Sequence, residues 1–285
     1  MKILVEVADK DLSCYENICD GIVLGLKDFS VLNSAEFTLA EIEDICSQQL
    51  NLELFIRLDK NIFNDELTTL KEILKRFSQL PIAGIFFYDL AVLQLSKSLK
   101  LSLPLVWSQT HMVTNYRTCD YYQQQGVKYA LLSKEITLDD IKEITSCSQI
   151  IPIVEVVSKP SVAFSRRKLV SNYYQDLGRV GEEELQVLEK VSNKKYLVKE
   201  EKAGTGFLLD EVVNGTMVIS DLYQVGVPYI LLKEQGINHF LELVEDTKTY
   251  IMGNCQDTAY VSKYKKLGDN TGFFFQKTVY RVKKK

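Results

Sequence analysis

The stretch 154–174, VEVVSKPSVAFSRRKLVSNYY, brings together residue types that can make an anion site. Glu155 is a lone carboxylate inside an apolar, β-branched run. Arg166, Arg167 and Lys168 follow in one short basic segment, and Asn172, Tyr173 and Tyr174 lie just beyond it. A buried carboxylate is costly unless it is paired, so Glu155 is expected to find a cation, with Arg166 or Arg167 as the candidates. Two readings of that pair stand side by side. It either braces the loop, or it orients an arginine toward an anionic substrate, because a planar guanidinium grips a carboxylate or phosphate through two parallel hydrogen bonds.

A second polar segment follows an apolar run at 107–120, WSQTHMVTNYRTCD. Trp107, Ser108 and Thr110 stand where a strand would end. Asn115 and Thr110 either contact a ligand or cap the next helix. The chain has only two histidines, His111 within this segment and His239 in a helical pattern, which gives little support to a His-activated nucleophile. Neither GxGxxG nor GxxxxGK[ST] occurs, which argues against dinucleotide or nucleoside-triphosphate binding. Six cysteines are scattered without a CxxC, so neither a thiolate metal site nor a disulfide framework is expected.

These residues need elements to position them. Apolar runs recur at 3–7, 21–26, 53–58, 84–88, 105–107, 129–132, 151–157 and 227–232. Most are continuous rather than alternating, as expected of parallel strands covered on both faces. Helical patterns fall at 38–49, 65–78, 90–97, 139–146 and 237–249, with Thr38 and Asp139 as candidate caps. Eight such units predict an α/β fold of the (β/α)8 TIM-barrel type, perfect or imperfect, with its active face at the strand C-termini; a doubly wound sheet is the runner-up. On a barrel, Glu6, Gly25, Arg57, Asp59, Asp89, Lys134, Glu135, Glu155 and Lys233 converge on one mouth, together with Trp107, Ser108, Gln109 and Thr110.

Two regions break the rhythm. Residues 158–225 form an insertion within a barrel domain spanning 1–245; it holds the basic loop, an acidic helix over 181–189, and a hairpin pairing KYLVKEE with TMVIS. Residues 246–285 form a basic, aromatic extension whose end, FFFQKTVYRV, reads as a strand. From Ser262 onward there are eight Lys/Arg against one Asp, so a tail of about +7 follows a body of about −11. Lys277, Arg281 and Lys283, interleaved with aromatic rings, suit RNA phosphate and base contacts, although three consecutive Phe also suit a core. No apolar run approaches membrane-spanning length and the N-terminus opens into a strand, so a cytoplasmic protein without a membrane partner is expected.

The order of elements and the 154–174 motif resemble the collagenase-like peptidase family of unassigned catalytic type 32 (the PrtC type). Within it the chain resembles the TrhP-type branch, the short subunit of paired proteins tied to 5-hydroxyuridine formation at the tRNA wobble position. NIFNDEL at 61–67, FFYDLAVL at 86–93, WSQTHMVTNYRTCDYY at 107–122 and NGTMVISDL at 214–222 carry the resemblance to about residue 245. It implies a barrel with catalytic Glu155 and Arg167. Substrate contacts would come from Arg166, Trp107, Ser108, Thr110, Asn115, Asn172 and Tyr173. It also implies a small carboxylate such as prephenate as co-substrate, tRNA as acceptor, and a longer paralogous subunit as partner. Members with the full signature carry loop cysteines that in several branches ligate an iron–sulfur cluster. Here Ser161 and Lys168 stand at the matching positions, so no cluster and no other cofactor is expected. A collagenase-like hydrolase and a non-catalytic scaffold are the alternative readings.

Overall fold

Each expected apolar run forms a strand, with ends shifted by no more than two residues. In chain order they are β1 (Lys2–Glu6), β2 (Gly21–Leu26), β3 (Glu53–Leu58), β4 (Gly84–Phe87), β5 (Leu105–Trp107), β6 (Tyr129–Leu131), β7 (Ile151–Ser158) and β8 (Tyr229–Lys233). The structure, a computed structural model, describes residues 1–181, 184–255 and 258–277. Every neighbouring pair is parallel, and β8 pairs with β1 to close an eight-stranded barrel. Closure removes the unpaired edges that an open sheet would present.

Strand alternation sets the interior. Leu4, Val23, Phe55, Phe86, Val106, Tyr129, Leu131, Ile153, Tyr229 and Leu231 form a separate buried cluster inside the barrel. The Phe55 ring is at its centre, with centroids 5.9 Å from Phe86, 5.7 Å from Tyr129 and 6.1 Å from Tyr229. Gly84 makes room for it: a Cβ there would lie 2.4 Å from the Phe55 ring. Burying one such ring contributes about 1.5–3 kcal/mol.

Helices cover the outside. Leu39–Ser47 opens with the expected Thr38, whose hydroxyl and Glu41 form a reciprocal capping box. For Leu138–Cys147 the cap is Thr137 rather than Asp139: the Thr137 hydroxyl accepts from the Asp140 amide, and Asp139 falls in the first turn. Tyr116–Gln124 and Ile219–Gln224 lacked a clear apolar period, the former burying only Cys119 and Tyr122. Between β1 and β2 there is a single 3-10 turn, Ser13–Tyr15, so the first unit is imperfect.

The insertion is a four-stranded antiparallel sheet in the order Glu184–Leu188, Lys195–Glu201, Gly204–Leu209, Ser161–Ser165. Two expectations are corrected here. The acidic segment 181–189 holds a strand rather than a helix, because it pairs edge to edge with Lys195–Glu201. KYLVKEE pairs with GTGFLL, while TMVIS forms a 3-10 turn over Thr216–Val218 and the start of the helix Ile219–Gln224.

The boundary expected at residue 245 falls inside the helix Phe240–Met252. Beyond it Tyr260, Tyr264 and Phe274 are buried against the body. Asn214 Nδ2 donates to the Tyr264 and Gly268 carbonyls at 3.0 Å, and the Leu138 amide donates to the Phe274 carbonyl at 2.9 Å. Residues 272–275 form a turn; the part of the expected strand beyond residue 277, with Arg281 and Lys283, lies outside the described residues.

Candidate functional site

Two residues beyond the apolar cluster, the same inward faces turn ionic. Leu4 is followed by Glu6, Phe55 by Arg57, Val106 by Ser108, Ile153 by Glu155 and Leu231 by Lys233. Parallel register then sets the charges side by side: Glu6 is opposite Lys233, and Leu231 opposite Glu155. Arg57 bonds Glu6 with one terminal nitrogen and Asp59 with the other. Lys233 Nζ is 3.0 Å from Glu155 and 3.4 Å from Glu6, and Lys134 Nζ is 3.9 Å from Glu155. The Ser158 hydroxyl donates to Glu155 at 2.6 Å. Glu155 therefore finds lysines, not Arg166 or Arg167, because its strand neighbour delivers Lys233 while the arginines leave on the inserted sheet.

The environment separates these groups electrostatically. Burial alone would raise the Glu155 pKa, but Lys233, Lys134 and the Ser158 hydroxyl hold it at about 2. Burial, with Lys233 and Arg57 nearby, lowers the Lys134 pKa below the ordinary lysine value, and Glu155 opposes that shift. Arg57 is raised despite its burial by Asp59 and Glu6. Glu6 Oε1 and Arg57 Nε are buried with no partner among the described residues.

Above the ions is a cavity of about 240 Å³. Arg57, Asp59, Lys134, Glu155 and Lys233 form its floor side, with Ser108, Thr110, His111 and Tyr88 on one flank. Ser161, Val162, Ala163 and Phe164 of the inserted sheet roof it. That roof is tied down: Glu201 accepts from the Leu32 amide at 3.0 Å, and Lys199 donates to the Asn33 carbonyl at 2.9 Å. Five basic residues and two carboxylates line the cavity.

The remaining expected site residues are distributed around it. Trp107 is fully buried and points outward, stacked on Tyr122 at 3.8 Å and donating to Gln109 at 3.0 Å. Asn115 caps Tyr116–Gln124, accepting from the Thr118 amide at 3.0 Å. Arg166 stacks on Phe63 in a neighbouring trough. Arg167 is exposed and forms no ion pair among the described residues; the Thr205 hydroxyl holds its carbonyl at 2.8 Å. Asn172 and Tyr173 are exposed on the helix Leu169–Asp176. His111 lies 3.6 Å from Glu135, both largely exposed. The strand-end positions of Arg57, Asp59, Lys134 and Lys233 marked them in the sequence. Lys60, Phe164 and the Lys159–Asp210 pair at 3.1 Å gave no such signal.

A model of the peptidase family U32 matches residues 9–230. The chain belongs to peptidase family U32. This U32 chain is 25% identical over 252 residues to the tRNA hydroxylation protein P2 of Bacillus subtilis (strain 168), a match covering 80% of this chain and 81% of that protein. It is 29% identical over 153 residues to an uncharacterized protease of Methanocaldococcus jannaschii, covering 50% of this chain and 37% of that one. Solved structures are more remote. A glycoside hydrolase family 18 N-acetylglucosaminidase from Paenibacillus barengoltzii is 6% identical at a TM-score of 0.42, covering 86% of this chain and 98% of that one. A chitinase from Rhizomucor miehei is 10% identical at 0.42, covering 87% and 100%. Neither bears on function.

The U32 resemblance raises a cluster in the loop after β7, and the donors there do not fit one. Ser161 is exposed on its strand, and the Lys168 ammonium donates to the Glu201 carbonyl. A hydroxyl and an ammonium do not replace thiolates. Among the described residues no group of three or more His, Cys, Asp or Glu is placed to hold a metal, and no helix is long and apolar enough to cross a membrane.

Proposed function

We propose that this chain is a tRNA-modification protein of wobble-uridine 5-hydroxylation, and that its mouth cavity holds a small carboxylate of the prephenate kind. The observation that carries this reading is the charge of the cavity lining, five cations against two carboxylates at the mouth of a barrel. The similarity to the tRNA hydroxylation protein P2 supports the acceptor class. Arg57 and Lys233 are fixed by Glu6, Asp59 and Glu155, so their nitrogen donors are held in place at the mouth. Lys134 has long contacts only, 3.9 Å to Glu155 and 3.5 Å to the Ser161 carbonyl, so its ammonium donors are available to a ligand. Glu155 positions both lysines.

In this reading the chain works without a cluster in its loop, and the redox step falls to a longer paralogous subunit. The described part of the tail ends on the mouth side of the barrel, where Lys277 acts on Asp140 in the first turn of Leu138–Cys147. In this reading Lys277 meets RNA that approaches the cavity. An open cavity also favours a ligand-binding role over a plugged scaffold.

The test is mass spectrometry of tRNA nucleosides from cells lacking the gene. Loss of the 5-hydroxyuridine-derived wobble nucleosides, restored by the gene, is the expected result. An unchanged profile in a strain also lacking any paralogue would overturn the proposal.

A further inference from the structure

The inner cavity shares Lys60, Asn61 and Phe164 with a second one of about 440 Å³. The two differ in character. Three cations (Lys60, Arg166, Lys202) and three carboxylates (Asp28, Asp65, Glu66) line the outer trough, so it is neutral overall. Lys202 pairs with Asp28 at 2.9 Å, and Lys60 pairs with Glu66 at 2.5 Å. Its distinctive feature is Phe63, 52% exposed, with the Arg166 guanidinium 3.1 Å from the ring centroid.

The loop that displays this ring is fixed in place. The Phe63 amide donates to Glu66 at 2.9 Å, and the Ile62 amide donates to Asp89 at 2.9 Å. A rigid exposed ring with a guanidinium on its face is a stacking platform. A neutral aromatic slot suits an uncharged planar ring better than a phosphate, whereas the cationic chamber behind it suits an anion. An enzyme that works on a nucleobase takes that base out of its stack, and the extruded base needs a new surface to lie on.

Resting on the tRNA reading above, we infer that the trough seats the extruded pyrimidine base of the RNA, stacked on Phe63 and facing the anion chamber across Lys60, Asn61 and Phe164. The exposed Asn61 amide, one donor and one acceptor at the shared wall, matches the polar edge of such a base. The base takes the Phe63 face opposite Arg166, whose guanidinium backs the ring from the other side.

The experiment is fluorescence anisotropy with the full chain and two labelled anticodon stem-loop RNAs, one with uridine and one with an abasic site at the wobble position. The wild type should prefer the uridine RNA by about fivefold to a hundredfold, the range of one base–aromatic stack. Phe63→Ala should erase that preference, Arg166→Ala should weaken it and Phe63→Trp should keep it, all with the wild-type melting temperature and unchanged binding of small carboxylates. If the wild type binds RNA with this preference and Phe63→Ala retains it, the trough inference fails while the tRNA reading survives. If the wild type binds neither RNA, both fail.

Discussion

The lower and upper halves of the barrel interior differ sharply over a rise of two residues. Below, Leu4, Phe55, Ile153 and Leu231 pack with Phe86 and two tyrosines into an apolar plug. Above, on the same strands and facing the same way, stand Glu6, Arg57, Glu155 and Lys233. The plug gains from leaving water. The ionic layer costs desolvation, which its mutual pairing offsets only in part, and well-packed apolar residues would serve stability as well or better. The lower half is therefore explained by folding, and the upper half, on the function proposed above, by what the mouth binds.

Truncating the plug should have the largest effect on stability. Phe55→Ala is expected to cost about 3–5 kcal/mol, measured by denaturant unfolding, because three aromatic neighbours lose their partner. A cost below about 1 kcal/mol would mean that the plug is not the core of the fold.

In the ionic layer, acid should reveal Glu155. Its folded pKa of about 2 is below the ordinary 4.5, so the stability it contributes is complete above pH 4.5 and is lost as pH falls toward 2. The contribution is on the order of 3 kcal/mol. Unfolding free energies followed through that window should fall steeply for the wild type and less so for Glu155→Gln. Parallel curves for the two proteins would count against the pairing with Lys233 and Lys134.

The smallest effect belongs to the exposed basic loop. Arg167→Ala should change stability by less than about 0.5 kcal/mol and leave carboxylate binding intact, because the guanidinium lines neither cavity. A large loss of carboxylate affinity, measured by calorimetry, would move the anion site from the strand ends to the loop.

Where the sequence was informative, the signal was local. An apolar run that ends in a charge marks a strand reaching the rim, and that pattern pointed to Glu6, Arg57, Asp59, Lys134 and Lys233, along with Asp89, which caps a helix, and Glu135; Glu155 stood out as a lone carboxylate within such a run. Trp107 was misleading although alternation speaks against it: with Val106 and Ser108 inward, the residue between them must face the helices. The partner of Glu155 was not legible, because Lys233 is close only through the parallel register of β7 with β8. The roof of the cavity was harder still. GTGFLL carries two glycines and little alternation, so nothing in it announces a strand, and its placement depends on pairing with two distant segments.

The most direct test of the contrast between the two halves is calorimetric titration of a small carboxylate, prephenate first, into the wild type and Lys134→Met, with the melting temperature of each. Lys134 makes long contacts only, 3.9 Å to Glu155 and 3.5 Å to the Ser161 carbonyl, and the melting temperatures report whether the variant keeps its fold. The account predicts that this variant loses carboxylate affinity by about tenfold or more, the contribution of a charged hydrogen bond. Equal affinity in the two proteins would contradict the claim that the ionic mouth of the barrel is an anion site.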